Sequence, residues 1–261
     1  MLKQKKVIVS LTSFPAAITY ATDAIKSILE GSILPDKLVL YLTFSQFEDA
    51  KIPSELTALA NNNPLFEIRN YNEDIRSYRK LIPVLKDFPN DIVVTIDDDV
   101  RYHKNMLRDL LRLHKQIPQV IIANRAKKIK LSTPYRNWKK YRWYHFLFTK
   151  LHYSFKNIQT GVGGVLYPPN SLSKEMMGSD IFKEIAPTTD DIWFLAAAVA
   201  NGTYILPFPL GKHNKPRGLN KPKKLSLKTT NFKRGTDLNR KAFEKIIKNY
   251  TIIKQRIENE K

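Results

Sequence analysis

Four short apolar runs, separated by segments of helical periodicity, constrain this chain more than any other feature. They are VIVSLTS (7–13), KLVLYLT (37–43), FEIRNY (66–71) and DIVVTID (91–97). Between them, TDAIKSILEG (22–31), PSELTALANN (53–62) and SYRKLIPVLKDF (77–88) have the apolar spacing of a helix face. Ile25, Ile28 and Leu29 share such a face, and Gly31 supplies a stop. Ser54 is expected to cap the second helix, and Pro83 marks a kink or a late start in the third. A further helix, KNMLRDLLRLHKQ (104–116), precedes another strand, QVIIAN (119–124). Strands alternating with helices of this length build βαβ units and a parallel sheet. Continuously apolar strands fit a sheet covered on both faces. The expected fold is therefore α/β, a Rossmann-like, mostly parallel central sheet flanked by helices. Ligands of such sheets bind beyond the carboxyl ends of the strands.

The second half is less regular. STPYRNWKKYRWYHFLFTKLHYSFK (132–156) interleaves aromatic and basic residues. QTGVGGVLYPP (159–169) is a glycine-rich turn leading into a short strand. DDIWFLAAAVANG (190–202) is a helix opened by two acids and closed by Asn201-Gly202. GKHNKPRGLNKPKKLSLK (211–228) lacks periodicity and is expected to be a mobile loop. The segment 236–261 is expected to be one amphipathic helix, with Leu238, Ile246, Tyr250 and Ile253 on its apolar side.

The 261 residues suffice for one large domain, or a domain with a tail. There is no cysteine. That excludes a disulfide framework and cysteine-ligated metals, and fits a reducing compartment. The first residues are too poor in apolar length for a signal peptide and fit a first strand. No window approaches the roughly 20 apolar residues of a membrane span. A cytoplasmic location is the expectation.

Charge is the most unusual global property: 44 Lys and Arg face 24 Asp and Glu, a formal net charge of +20. Such a chain attracts polyanions, whether nucleic acid, anionic lipid or phosphorylated substrate. The charge is also unevenly placed. From Leu110 to Lys174 there are 13 basic residues and no acid, and Ile192–Thr236 again contains no acid.

Against that background, Asp97, Asp98 and Asp99 stand together where an apolar strand ends. Adjacent carboxylates repel one another, and desolvation worsens this. A divalent cation removes both penalties, and hard oxygen ligands suit Mg²⁺ or Mn²⁺, which complete their shell with water and substrate phosphates. On a turn, Asp97 and Asp99 can point the same way while Asp98 points elsewhere. The competing reading is a polar strand end whose acids cap the next turn. Asp190 and Asp191 form a second cluster. They are either acids favoured by a helix N-terminus or a general base toward a substrate hydroxyl.

The sequence around these acids resembles GT-A-fold glycosyltransferases. The likeness is to bacterial enzymes of surface-polysaccharide assembly, such as lipopolysaccharide or capsule, and more distantly to exostosin-type transferases. VIVSLTSFP (7–15), EDIRSYRKLIPVLKDFPNDIVVTIDDDVRY (73–102), TGVGGVLYPP (160–169) and TTDDIWFLAAAVANG (188–202) carry it. The resemblance implies transfer of a sugar from a nucleotide-sugar, by expectation UDP-linked, to a glycan or lipid-linked glycan hydroxyl. It implies a GT-A domain over 1–235, with a nucleotide-binding half to about residue 125 and an acceptor half after it. Asp97 and Asp99 would be the D-x-D ligands of Mn²⁺ or Mg²⁺, with His213 as a third. Asp98 would contact the ribose or donor sugar. Thr12, Ser13 and Pro15 would line the nucleoside pocket, and Asp74, Arg76 and Lys80 would reach the base and phosphates. Gly161, Gly163 and Gly164 would form the acceptor loop. Asp191, or its neighbour Asp190, would be the base of an inverting reaction.

The chain departs from the pattern in two places. Related sequences often carry SYPAR where this one has Phe14-Pro15-Ala16-Ala17, so another cation must replace that Arg. The acidic pair is often Glu-Asp, and exostosin-like members with a similar Asp-Asp retain anomeric configuration, so stereochemistry stays open. A different class of function also fits part of the chain. The aromatics Tyr135, Trp138, Tyr141, Trp143, Tyr144, Phe146 and Phe148, set among basic residues, could stack single-stranded nucleic acid. That reading leaves the aspartate triplet without a purpose. The same patch, with the terminal helix, could instead rest on anionic lipid at the inner face of the membrane.

Overall fold

The structure is a computed structural model that describes residues 5–47, 51–146, 152–209, 215–222, 229, 231–232 and 236–260. The four apolar runs form β1 (Val7–Thr12), β2 (Lys37–Leu42), β3 (Phe66–Asn70) and β4 (Ile92–Thr95). They are followed by β5 (Val100–Arg101), β6 (Ile121–Ala123), β7 (Ala126–Lys128), β8 (Lys139–Lys140) and β9 (Asn157–Gln159). The last three are β10 (Val165–Tyr167), β11 (Ile205–Pro207) and β12 (Arg217–Gly218). The central sheet has seven strands in the order β11-β6-β10-β4-β1-β2-β3. Pairing is parallel between β1 and β2, β1 and β4, β2 and β3, and β6 and β11. In this sheet β10 runs antiparallel to both its neighbours, β4 and β6.

The sheet is buried on both sides, which is why its strands lack polar alternation. One face carries Val9, Leu11, Leu38, Leu40, Val94 and Ile122 under α1 (Ile18–Leu29), α2 (Ser54–Asn62) and α4 (Met106–Gln116). The other carries Ile8, Val39, Val93, Ile121, Val165 and Ile205 under α3 (Ile82–Asp87) and α6 (Asp190–Asn201). Helix α5 (Ser179–Ile185) precedes α6 in the chain. The mostly parallel sheet flanked by helices is the architecture expected from the sequence.

Several local expectations change. Helix α1 begins at Ile18 rather than 22, which adds Ile18 and Ala21 to its buried stripe. Ser54 is the first helical residue, Pro53 holds the cap position, and no side chain caps α2. The stretch 77–88 divides into a 3-10 turn, Arg76–Lys80, and α3 with Pro83 in its first turn. Proline has no N–H to donate, so a helix starts around it more readily than it runs through it. The C-terminal segment is two helices, Leu238–Asn249 and Thr251–Asn259, broken at Tyr250 (φ −122°, ψ 84°). The break lets Phe243, Ile246, Ile253 and Ile257 all bury in the core beneath α6. Its apolar side is therefore core rather than a surface free to meet lipid.

The aromatic and basic segment is also divided. Tyr135 and Trp138 are buried, with ring centroids 5.1 Å apart, and Trp138 meets Phe243 edge-on at 5.2 Å. Those rings are not available to stack bases. Tyr141 donates its hydroxyl to Asn157 Oδ1, whereas Trp143 and Tyr144 are exposed. Phe148 lies outside the described residues. Among the described residues, no helix is long and apolar enough to cross a membrane.

Candidate active site

A cleft of about 900 Å³ opens at the carboxyl ends of β1 and β4. Because β10 is antiparallel, its leading turn, Gly161–Gly164, arrives at the same edge, as does the N-terminus of α6. Topology thus brings together acids some ninety residues apart in sequence.

Lys80 is the centre of the cluster. Its ammonium lies 2.9 Å from Asp97 Oδ1 and 3.0 Å from Asp190 Oδ2. Burial works against the charge, but Asp190, Asp97 and Asp191 outweigh it and hold the Lys80 pKa well above its ordinary value. Asp97 is fixed further by its backbone N–H, which donates to the Tyr102 hydroxyl at 2.9 Å. Gly161 is dictated by crowding. A Cβ there would lie 2.5 Å from Lys80 Nζ and 2.9 Å from Asp97 Oδ1. Gly164 has φ +86°, which favours glycine. Neither Gly163 nor Gly164 lines the cleft. Gly163 accepts from Asn124 Nδ2 through its carbonyl. The three glycines thus shape the turn, and Gly161 alone of them faces the cleft.

The three acids of the aspartate triplet have different lysine partners. Lys221 Nζ stands 3.1 Å from both Asp98 Oδ1 and Asp99 Oδ2, while Asp97 belongs to Lys80. Asp98 also accepts from the Ser13 hydroxyl at 2.5 Å. Both its oxygens are therefore engaged by the protein. Burial raises the Asp98 carboxyl, and Lys221 and Ser13 pull it partly back. Lys221 is held there because β12 pairs with β5 and the Leu219 N–H donates to Asp99 O. Arg217, in β12 itself, is exposed and does not line the cleft.

Asp190 and Asp191 open α6 as expected and are not equivalent. Asp190 is buried against Lys80. Asp191 accepts from the Gly161 N–H at 3.1 Å through Oδ1 and lines the cleft. Burial and the neighbouring Asp190 push its carboxyl up to about 7, against the pull of Lys80.

Thr12, Ser13, Asp74 and Arg76, all named from sequence, also line the cleft. Pro15 does not line it, and Phe14 does. Asp74 Oδ1 accepts from the Arg76 N–H at 3.0 Å and stabilises the left-handed turn at Arg76 (φ 52°). Sequence reasoning passed over Arg79, which is buried and donates to Thr43 Oγ1 at 2.5 Å. It also passed over Gln46, Lys221, and a basic wall of Arg125, Lys127, Arg136 and Lys140. The acid-free stretch signalled that wall without saying which cations share it.

Asp97 and Asp99 are the donor set open to a divalent ion. The Asp97 and Asp99 side chains are 27% and 29% exposed, against 9% for Asp98. Two hard carboxylates open to a cleft fit Mg²⁺ or Mn²⁺ that takes its remaining ligands from water and substrate phosphates. They do not fit an ion caged by protein alone. Among the described residues no group of three or more His, Asp or Glu side chains is placed to hold one, and His213 lies outside those residues.

No known protein family and no curated protein matches the sequence. Solved structures do share its fold. A mannosyltransferase, PcManGT from Pyrobaculum calidifontis in complex with GDP-Man and Mn²⁺, superimposes with a TM-score of 0.59 at 15% identity over 94% of this chain. S. aureus TarS (residues 1–349) matches with a TM-score of 0.53 at 14% identity over 82% of the chain. A CMP:2-keto-3-deoxy-manno-octonic acid synthetase complexed with CTP matches with a TM-score of 0.50 at 11% identity over 85%. The chain spans 65% of the first, 60% of the second and 95% of the third. At these identities the likeness is one of fold, a GT-A-like, mostly parallel sheet flanked by helices.

Proposed function

We propose that this protein is a glycosyltransferase that moves a sugar from a nucleotide-sugar to a hydroxyl of a glycan or lipid-linked glycan, with inversion. One observation carries the reading. A single cleft holds two partly exposed carboxylates beside two lysines and, across Gly161, a separate carboxylate whose Oδ2 accepts no hydrogen bond among the described residues. The shared fold with two proteins named as a mannosyltransferase and TarS supports it.

In this reading the nucleoside lies toward Thr12, Phe14, Asp74 and Arg76, in the first half of the chain, and the acceptor toward residues after 125. The diphosphate lies by Asp97 and Asp99. Mg²⁺ or Mn²⁺ bound there would neutralise the leaving group. Lys80 and Lys221 hold their protons because carboxylates surround them, so they add fixed positive charge at the same end. Asp191 takes the acceptor's proton on Oδ2 while Gly161 anchors Oδ1. The acceptor oxygen bonds to the anomeric carbon as the bond to the diphosphate breaks. Asp190, already paired with Lys80, positions that lysine. Peripheral attachment to an anionic membrane, if the acceptor is lipid-linked, would fall to the exposed Trp143 and Tyr144.

The test is a panel of nucleotide-sugars with Mn²⁺, UDP-linked ones first, scored by thermal shift and then by nucleoside diphosphate release. One donor should stabilise the protein and be hydrolysed, and Asp99→Ala should lose that hydrolysis. Equal release by Asp99→Ala removes the role of the pair. No response to any donor removes the reading.

A further inference from the structure

The cleft continues past Asp191 into a wall that the reaction above leaves without work. Arg125 follows β6, Lys127 lies on β7, Arg136 stands in the next turn and Lys140 ends β8. All four line the cleft, and all four come from the acid-free stretch between Leu110 and Lys174. Lys127 is only 9% exposed, donates to Tyr135 O at 3.1 Å and sits 3.6 Å from the Tyr135 ring centroid. Among the described residues neither Arg125 nor the Arg136 guanidinium pairs with a carboxylate. The nearest acids, Asp237 and Asp191, each accept from backbone N–H groups, Asp237 Oδ2 from that of Arg136 at 3.4 Å. Asp237 caps the helix Leu238–Asn249 through the Arg240 N–H, and Asp191 holds Gly161.

Cations gathered around a buried ammonium repel one another, and an anion bound among them relieves that repulsion. The proposed diphosphate site already has its own cations, Lys80 and Lys221, beside Asp97 and Asp99, and none of them comes from this wall. Arg125 instead abuts the acceptor side: its carbonyl accepts from the Thr160 N–H, one residue before the amide that holds Asp191. We infer that the acceptor glycan carries a phosphate or carboxylate close to the hydroxyl that is glycosylated, and that Arg125 and Lys127 select it. The inference rests on the glycosyltransferase reading and names its acceptor class. The Lys127 environment agrees with it. Burial, then Lys140 and Arg125, lower its pKa to about 8, so an arriving anion would restore the ammonium's full charge.

Three probes test this on the full chain in the presence of UDP and Mn²⁺: neutral chitohexaose, a hyaluronan hexasaccharide bearing carboxylates, and a glycerol-phosphate hexamer. One charged probe should bind at least about 10-fold more tightly than the neutral one, and which does so separates carboxylate from phosphate. Arg125→Ala/Lys127→Met should erase that preference. Arg125→Gln alone, at an exposed position, should reduce it about 3-fold and carries the test if the double variant does not fold. Lys245→Ala/Lys248→Ala removes the same charge from an exposed helix surface and should leave the preference intact. Equal binding of all three probes, or an equal loss in the Lys245/Lys248 variant, would overturn the inference. Donor hydrolysis by the unmodified chain without acceptor is scored separately. Its absence sinks the transferase reading, while the binding preference is still decided by the probes.

Discussion

Lys80 and Gly161 stand so close that a single methyl group on Gly161 would fall 2.5 Å from the lysine nitrogen. A lysine tip usually moves aside, but this one is pinned between Asp97 and Asp190. Gly161→Ala should therefore displace the ammonium and the Asp97 carboxylate together. A misplacement of about 1 Å in a catalytic cluster costs on the order of 100-fold in rate. The expected outcome is a loss of roughly 10- to 100-fold in kcat/KM, with a melting temperature within a few degrees of the parent. An unchanged rate would mean that Lys80 has no defined place in the reaction.

Removing the lysine itself tests its structural role. Lys80→Met leaves Asp190 buried without its cation, and breaking such a pair costs roughly 3–5 kcal/mol. The double variant Lys80→Met/Asp190→Asn removes the stranded charge and should recover more than half of that loss in urea unfolding. Activity should not return, because the fixed charge beside Asp97 is still missing. Additive losses in the double variant would show that the two side chains are energetically independent.

The contrast between these residues and Lys221 shows what was legible in the sequence. Asp97 lies just past a strand end and Asp191 at a helix start, where periodicity and topology fix position, so the sheet and its carboxyl edge could be read from apolar runs. Lys80, in a 3-10 turn, was named only through the resemblance. The break at Tyr250 could not, because periodicity runs through it and only packing against α6 demands it. Lys221 and Arg79 were missed for a related reason. Nothing local distinguishes Lys221 from its basic neighbours, and its place depends on two residues of β12 pairing with β5, over a hundred positions earlier. Arg79 is one of three cations in the run Arg76–Lys80, and burial alone sets it apart.

Lys221 should govern how stability varies with pH. Its ammonium is the cation paired with the buried Asp98. Asp98 is already raised by burial, so the folded state holds its proton to higher pH than the unfolded chain does. Such a group loses stability as pH rises from the ordinary carboxylate value of about 3.9 toward the raised one. Lys221→Ala raises Asp98 further and widens that window upward. The variant should lose about 2 kcal/mol at pH 8 and less at pH 5, measured by urea unfolding at both. A loss that is equal at the two pH values would separate Lys221 from Asp98.

Asp191 makes the sharpest pH prediction, because catalysis and stability should move in opposite directions. Its carboxyl lies at about 7, and a general base works only when deprotonated. kcat/KM should fall about tenfold per pH unit below that value and level off above about pH 8. Asp191→Asn keeps the shape but accepts no proton, and should lower kcat by on the order of 1,000-fold. The same raised value means that the folded chain holds a proton between roughly pH 4 and 7 that the unfolded chain releases. At pH 8 the ionised carboxylate therefore costs stability, and the amide relieves that cost. Asp191→Asn should melt about 2–4 °C higher than the parent at pH 8, and close to it at pH 5, where the parent's carboxyl is already neutral. A variant that is inactive yet no more stable at pH 8 would mean that Asp191 ionises freely, and the base with a pKa near 7 would have to be sought in another residue of the cleft.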